Sequence, residues 1–222
     1  MMKRRISLFI LFLLPLVRAH AQTLQPQDDT QSWNDLLITV PINKHFDFLG
    51  GITGRFGSDI SQLNDARFGA GINWKVSKSV SILPVYWNIH MRNALNQFRT
   101  EHRYSVRVSY KFPFKSFGLT HRSTYEYRDR AVNSWRYRGG MLIEKDLPKT
   151  WIKGAKFLLG DEVFYDSLLE RFSRNRFTIG INKTLSKPLS VDIYYMRQND
   201  GISRPGDLNV IGTTWRWKID RK

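Results

Sequence analysis

From about Ser32 onward, apolar and polar residues alternate with period two in long segments that are separated by turn-forming clusters. Between Ala66 and Val76, for example, every second residue is apolar, whereas Arg67 and Lys75 belong to the other face. Successive side chains of a β-strand point to opposite faces, so this pattern indicates strands with one apolar and one polar face. The sequence therefore predicts an all-β fold.

The length of the alternating segments distinguishes a membrane protein from a soluble sandwich. The segments run for about 11 to 14 residues, whereas ordinary strands have about 5 or 6 and a tilted strand crosses a bilayer with about 9 to 11. Aromatic residues gather near the ends of the apolar faces, as they do at the lipid interfaces of transmembrane barrels. These features predict an up-and-down antiparallel transmembrane β-barrel.

Turn-forming clusters divide the chain into eleven such segments. Bacterial single-chain barrels have even numbers of strands, so we expect about ten to twelve strands. The links are predicted to be short at one end of the barrel and longer at the other, near 58–64, 92–100, 166–173 and 198–207. The predicted strand segments are 32–41, 45–57, 65–77, 79–91, 100–112, 117–130, 133–145, 154–166, 171–184, 188–198 and 207–219.

The first residues have the composition of a secretory signal peptide. Three basic residues at 3–5 precede an apolar stretch at 6–17, and the small residues Ala19 and Ala21 follow. The apolar stretch is too short for a membrane-spanning helix, so we expect cleavage after Ala21 and export to the outer membrane of a Gram-negative bacterium. The predicted divisions are the signal peptide at 1–21, a short polar segment at 22–31 and the barrel domain at 32–222.

Composition narrows the class of protein further. The formal net charge is +16, and it falls to about +12 without the signal peptide, which holds four basic and no acidic residues. Mean hydropathy is −0.40 and no second long apolar run exists, which excludes a helical membrane protein. Cysteine is absent, so a closed sheet or a core must hold the secreted domain together. Neither a cofactor nor a metal ion is predicted, because no two histidines have metal-ligand spacing.

Six segments in a fixed order carry a resemblance to a known family. They share paired arginines, a glutamate before an aromatic residue and hairpins with Lys- or Asn-rich turns. In these features the chain resembles domain of unknown function 2490 (DUF2490) over about 33–219. The resemblance implies a bacterial outer-membrane barrel without a settled function and adds no catalytic residues; Asp161, in an outward register, departs from the pattern. The segments are FRTEHRYSVRVSYKF (98–112), LTHRSTYEYRDR (119–130), WRYRGGMLIEK (135–145), FLLGDEVFYDS (157–167), NRFTIGINKTLSKPLSVDIYY (175–195) and NVIGTTWRWKI (209–219).

With the apolar face toward lipid, many arginines and fewer glutamates fall on the inner face. Arginine suits bidentate pairing with carboxylates, so one interpretation is a ladder of ion pairs that fills a narrow barrel. The second interpretation rests on the excess of arginine, which would favour anions in a narrow pore or in a cavity for an acidic ligand. The predicted lumen-lining residues are Arg55, Arg67, Glu101, Arg103, Arg107, Arg122, Glu126, Arg128, Arg136, Arg138, Glu144, Glu162, Arg176 and Arg216.

Two further functions stay open. A lipid-modifying hydrolase would use His121, Ser123 and His102. However, strand neighbours at i and i+2 are about 7 Å apart, too far for the hydrogen bond that activates a serine, and no clear acid shares their face. The chain is therefore predicted not to be an enzyme. The other alternative is a structural or receptor barrel that acts through its extracellular loops.

The expected partners follow from the barrel class. They are outer-membrane lipid and lipopolysaccharide, small anions, and the barrel-insertion machinery, whose recognition signal resembles the aromatic-rich segment 209–219. Nucleic acid is not predicted to be a partner. The basic residues follow the sheet period and lie on the face opposite the aromatic residues, and no recognised nucleic-acid motif is present.

Overall fold

The computed structural model describes residues 28–93 and 96–219, which form eleven strands in one closed barrel. The predicted signal peptide and most of the predicted segment 22–31 lie outside the described residues. The strands are β1 (Asp29–Pro41), β2 (Phe46–Gly57), β3 (Gln62–Lys75), β4 (Val80–Arg92), β5 (Phe98–Phe112), β6 (Gly118–Asp129), β7 (Ser134–Asp146), β8 (Ala155–Asp166), β9 (Arg171–Thr184), β10 (Leu189–Asp200) and β11 (Leu208–Lys218).

Each strand corresponds to one predicted segment, so the all-β prediction is confirmed. The bounds of β9 are as predicted, and β1 begins at Asp29, three residues before the predicted barrel domain. The agreement is close because period-two alternation is a property of the strand itself. It holds as long as one face of the sheet meets an apolar environment and the other a polar one.

The barrel closes through a parallel pair of strands. Consecutive strands are antiparallel throughout, but β1 and β11 run in the same direction, with Asp29 opposite Leu208 and Thr39 opposite Lys218. In an up-and-down barrel with an odd number of strands, the first and last strands must point the same way. The prediction of an antiparallel barrel is therefore confirmed everywhere except at this seam, and the even number of strands expected for the class is not found.

The two ends of the barrel, here called rim A and rim B, have links of similar length. The predicted long loops are wrong, because β3, β5 and β9 begin inside them and β10 continues to Asp200. Rim A carries the links 58–61, 130–133, 167–170 and 201–207, together with the end of β4 and the beginning of β5. Rim B carries the links 42–45, 76–79, 113–117, 147–154 and 185–188.

The outer face of the barrel is apolar and exposed. Ile52, Phe68 and Ile193 leave 54–56% of their surface uncovered. The aromatic residues that were predicted near the strand ends form two belts, one near each rim: Trp135 stacks between Tyr125 and Tyr165 near rim A, and Phe46 stacks on Trp74 near rim B. Within the described residues, no helix has the length and apolar character needed to span a membrane.

The inner face has two differently built walls. On β5–β8, here called the charged wall, arginines and glutamates project into the barrel. On β2–β4 and β9–β11, here called the glycine wall, bulky side chains lie over glycines. A Cβ at Gly51 would lie 3.0 Å from the Trp87 ring, and a Cβ at Gly212 would overlap the Tyr194 ring. Glycine has no side chain, so these aromatic rings can lie flat against the strand backbone.

Candidate functional site

Two cavities lie in succession inside the barrel. The larger, about 730 Å³, opens near rim A, and the smaller, about 270 Å³, lies deeper. Four arginines belong to the walls of both cavities and therefore lie at the boundary between them: Arg55, Arg67, Arg103 and Arg138. We call these four residues the arginine girdle.

Glu101 is the most enclosed carboxylate of the charged wall, with 2% of its surface exposed. Arg103 Nε donates to its Oε1 at 2.7 Å, and Arg128 Nη2 donates to its Oε2 at 2.7 Å. The guanidinium of Arg130 lies 3.9 Å from the same carboxylate, while Arg128 also approaches Asp166 at 3.7 Å. One buried carboxylate thus holds arginines from β5, from β6 and from the link after β6.

Glu126, on β6, forms a second centre one strand further round the barrel. It accepts from Arg136 Nη2 at 2.6 Å and from Arg138 Nη1 at 2.9 Å. Arg138 also donates from Nη2 to Glu162 Oε1 at 2.8 Å. Because charge-assisted bonds to a planar guanidinium fix both distance and direction, this chain of pairs ties β6, β7 and β8 together across the inner face.

Three aspartates pair with arginines elsewhere in the lumen. Asp65 accepts from Arg67 Nε at 2.6 Å and lies 3.9 Å from Arg55. Asp200 accepts from Arg174 Nε at 2.7 Å, and Asp192 accepts from Arg216 Nη2 at 2.8 Å. The Nε of Arg55 is buried without a hydrogen-bond partner. Arg55 therefore keeps one buried donor without an acceptor, although Asp65 is nearby.

Three of the predicted lumen arginines form no ion pair within the described residues. Arg107 donates to Thr124 Oγ1 at 3.4 Å, Arg176 donates to Gln198 Oε1 at 2.9 Å, and Arg122 has neither an ion pair nor a side-chain hydrogen bond. Neutral oxygen acceptors do not cancel the guanidinium charge. Asp35, which lines the deeper cavity, likewise has only hydroxyl partners, Thr53 and Thr214. Among the residues that line the two cavities, arginines nevertheless outnumber carboxylates.

Two aromatic side chains inside the barrel, Trp33 and Phe164, stack against lumen arginines. Arg55 Cζ lies 3.5 Å from the ring centroid of Trp33, and Arg176 Cζ lies 4.8 Å from Trp33 and 4.7 Å from Phe164. Arg136, Arg138 and Arg174 approach Phe164 at 5.0–5.6 Å, and Phe164 is 1% exposed. Stacked cations are held in place while their N–H groups remain available to other acceptors.

All the predicted lumen residues occupy inward registers of their strands. Twelve of them line a cavity or take part in the ion pairs described above, whereas Arg122 and Glu144, which lies at the rim B end of β7, do neither. Sequence reasoning missed Trp33 and Phe164, because aromatic residues were assigned to the lipid face. It also omitted Asp65, Arg174, Asp192 and Asp200, although the alternation itself places them on the inner face.

The residues of the hydrolase alternative lie on the outer face, and the predicted separation of two of them is wrong. His121 Nε2 and Ser123 Oγ are 2.9 Å apart, because both side chains lean along the strand toward each other. Asp161 also faces outward, two strands away from His121, and its hydrogen-bond partner is Asn175 and not the histidine. His102 lies elsewhere, with its Nδ1 2.7 Å from Tyr86 Oη. Among the described residues, no group of His, Cys, Asp or Glu could hold a metal ion.

Comparison with known proteins identifies a family but no function. Residues 30–208 match the sequence profile of a family described as protein of unknown function (DUF2490). No curated protein matches the sequence. Among solved structures, an anion-selective porin from Comamonas acidovorans is similar with a TM-score of 0.40 and 11% sequence identity. The similarity covers 79% of this chain and 54% of the porin chain, so this chain spans about half the length of that protein.

Proposed function

Since the chain belongs to the DUF2490 family, whose members are proteins of unknown function, we propose a role from its own geometry. The protein spans the bacterial outer membrane as a β-barrel, and its lumen is a narrow passage that prefers small anions. The observation that carries this proposal is the set of lumen arginines without carboxylate partners, Arg107, Arg122 and Arg176, inside walls that already hold the arginine girdle.

The outer face supports the membrane part of the proposal. Exposed apolar faces of this extent are unfavourable in water and favourable against lipid chains. The aromatic belts lie where the hydrocarbon meets the headgroups, and outer-membrane lipid, with lipopolysaccharide in its outer leaflet, would surround them. All lysines of the described residues lie at or next to rim B, where their ammonium groups would reach phosphate headgroups: Lys44, Lys75, Lys78, Lys111, Lys115, Lys145, Lys149, Lys153, Lys156, Lys183, Lys187 and Lys218.

The lumen supports the preference for anions. A cavity lined by one sign of charge and bounded by low-dielectric walls concentrates ions of the opposite sign. The wide cavity at rim A would collect anions, and the arginine girdle would be the narrow section that they must pass. Fixed guanidinium groups that neutralise an anion replace part of its hydration shell, whereas the same groups repel cations.

The test is the conductance of refolded protein in planar bilayers, with the reversal potential measured across a salt gradient. Folding is verified beforehand by heat-modifiable mobility in gels. We expect small, steady openings with anion preference, and we expect the double variant Arg107→Gln and Arg122→Gln to lower that preference. The matched control is Lys115→Gln with Lys187→Gln, which removes the same charge from rim B and leaves the lumen unchanged.

Two results would contradict the proposal. One is the absence of conductance from protein shown to be folded. The other is a conductance whose ion preference does not change when the two lumen arginines are replaced. A control pair that changes the preference as much as the lumen pair would assign selectivity to the rim and not to the lumen.

A further inference from the structure

We propose that His121 and Ser123 form a base–nucleophile pair that cleaves acyl esters of membrane lipids on the outer face of the barrel. The site is separate from the lumen and does not depend on anion passage. Arg122 and Thr124 occupy inward registers of β6, so His121 and Ser123 point to the lipid side. A nucleophile and a base within hydrogen-bonding distance are the first requirement of covalent catalysis by serine.

The contacts of His121 determine which of its nitrogens can act as the base. Its Nε2 lies 2.9 Å from Ser123 Oγ, and its Nδ1 lies 3.3 Å from Met141 Sδ. A thioether sulfur accepts hydrogen bonds and cannot donate them. The contact therefore assigns the ring proton to Nδ1 and leaves the lone pair of Nε2 free to accept the proton of Ser123.

Tyr137 completes the surroundings of the nucleophile. Its Oη lies 3.0 Å from Ser123 Oγ, so it can donate to that oxygen or to an oxyanion that forms beside it. The Tyr137 ring reaches Ser123 because it leans over Gly139, which is opposite Ser123 in the register. A Cβ at Gly139 would lie 3.2 Å from Tyr137 Oη. The glycine thus leaves the space that the phenol occupies.

An acid lies in the same row of the outer face. His121 pairs with Met141 on β7, and Met141 pairs with Asp161 on β8, which places Asp161 about two strand spacings, roughly 10 Å, from His121. Asn175 Nδ2 donates to Asp161 Oδ1 at 2.9 Å. Asp161 does not touch the reacting atoms; it is a positioning residue whose negative charge favours the imidazolium that forms during the reaction.

The position of this cluster points to its substrate. Ionisable residues on a lipid-facing surface are costly and are characteristically functional, and both His121 and Asp161 lie on the outer face. Tyr125 of the rim A belt follows Ser123 by one outward step on β6. Belt residues mark the depth of the headgroup boundary, and the ester groups of glycerolipids lie next to it. Ser123 is the sixth of the twelve residues of β6, so an acyl ester of a membrane lipid would meet it on the hydrocarbon side of the belt.

The reaction balances with water as the second substrate. Ser123 Oγ bonds to the ester carbonyl carbon as its proton moves to His121 Nε2, and the bond from that carbon to the alcohol oxygen breaks. His121 gives the proton to the departing alcohol, which leaves an acyl-serine. Water then adds to the acyl carbon and loses a proton to His121. The fatty acid departs, and the proton returns to Ser123.

The experiment uses the folded full-length barrel in phosphatidylethanolamine vesicles. A fluorophosphonate probe reports activated serine, and release of fatty acid from the vesicles reports turnover. We expect labelling on Ser123 and no labelling in Ser123→Ala. His121→Ala is expected to slow labelling by about 100-fold or more, as loss of a general base does. Ser32→Ala is the matched control, because Ser32 faces outward beside Asn34 but has no histidine partner.

Two further variants separate chemistry from folding. Tyr137→Phe keeps the ring over Gly139 and removes the hydroxyl, so it is expected to slow turnover without changing heat-modifiable mobility. Asp161→Asn is expected to slow labelling, and Asp161→Glu to restore part of the rate. The absence of labelling in folded wild-type barrel, or labelling that persists in Ser123→Ala, would overturn the proposal. Conductance is expected to be the same in Ser123→Ala and wild type, so failure of either proposal leaves the other testable.

Discussion

The charged wall and the glycine wall fill the same lumen by opposite means. On the charged wall, large cationic side chains are held by a few buried carboxylates, and Glu126 alone accepts from both Arg136 and Arg138. On the glycine wall, aromatic rings lie on strands from which side chains are missing, as Tyr194 lies over Gly212. The charged wall is stabilised by electrostatic pairing, which is directional. The glycine wall combines close packing, which depends on shape, with the ion pairs of Asp65, Asp192 and Asp200.

The two walls differ in the substitutions that they tolerate. A carboxylate that serves two arginines cannot be removed without leaving buried charge uncompensated. A glycine under an aromatic ring cannot gain a side chain without displacing the ring. Replacing an arginine that pairs with no carboxylate neither leaves a buried charge uncompensated nor displaces a ring. These arginines are the residues to which the ion preference is assigned.

The largest effect is expected at the centre of the charged wall. Glu126→Gln removes the negative charge between Arg136 and Arg138 and should lower the free energy of unfolding by about 3–5 kcal/mol. The measurement is urea unfolding in detergent or lipid, followed by heat-modifiable mobility. The matched control is Glu170→Gln in the exposed link at rim A, where no ion pair is lost. Equal stability of the two variants would show that the charged wall does not stabilise the barrel through this pair.

The next effect tests the glycine wall. Gly212→Val would force the ring of Tyr194 away from the strand and should cost about 1–3 kcal/mol of unfolding free energy. Gly201→Ala is the control, because a Cβ there has no neighbour within 4 Å. If Gly212→Val has the same free energy of unfolding as the wild type in this assay, the aromatic packing does not contribute to stability.

A smaller change in stability is expected at an arginine without a carboxylate partner. Arg107→Gln removes a charge but leaves no buried carboxylate unpaired, so the free energy of unfolding should change by no more than about 1 kcal/mol. A loss as large as that of Glu126→Gln would show that Arg107 is a structural member of the network. It would then no longer be available for the proposed ion preference.

The smallest effect is expected outside both walls. Arg197 faces outward and pairs with Asp207 at 2.8 Å and with Asp28 at 3.2 Å. Because partly exposed pairs are screened by solvent, Arg197→Gln should lower the free energy of unfolding by about 0.5 kcal/mol, and added salt should shrink the difference further. Unfolding titrations at low and high salt provide the check; a loss above 2 kcal/mol would place Arg197 among the structural ion pairs.

Much of the architecture could be predicted from local pattern. Alternation located all eleven strands and assigned the arginines and glutamates to the inner face, since side-chain direction follows from strand geometry alone. The link lengths and the seam could not be predicted in this way. They depend on how far each strand extends beyond the apolar band and on how many strands the closed barrel has.

The candidate sites, too, were determined partly by the sequence and partly by the tertiary structure. The sequence by itself determined that residues such as Arg138 and Glu126 face the lumen and that His121 and Ser123 share the lipid face. Only the tertiary structure decided which arginine meets which carboxylate, that Phe164 lies inside among arginines, and that Asp161 shares a row with His121. The physical reason is that a period of two specifies the face of a residue, whereas its neighbours across the sheet are set by the register between strands and by the closure of the barrel.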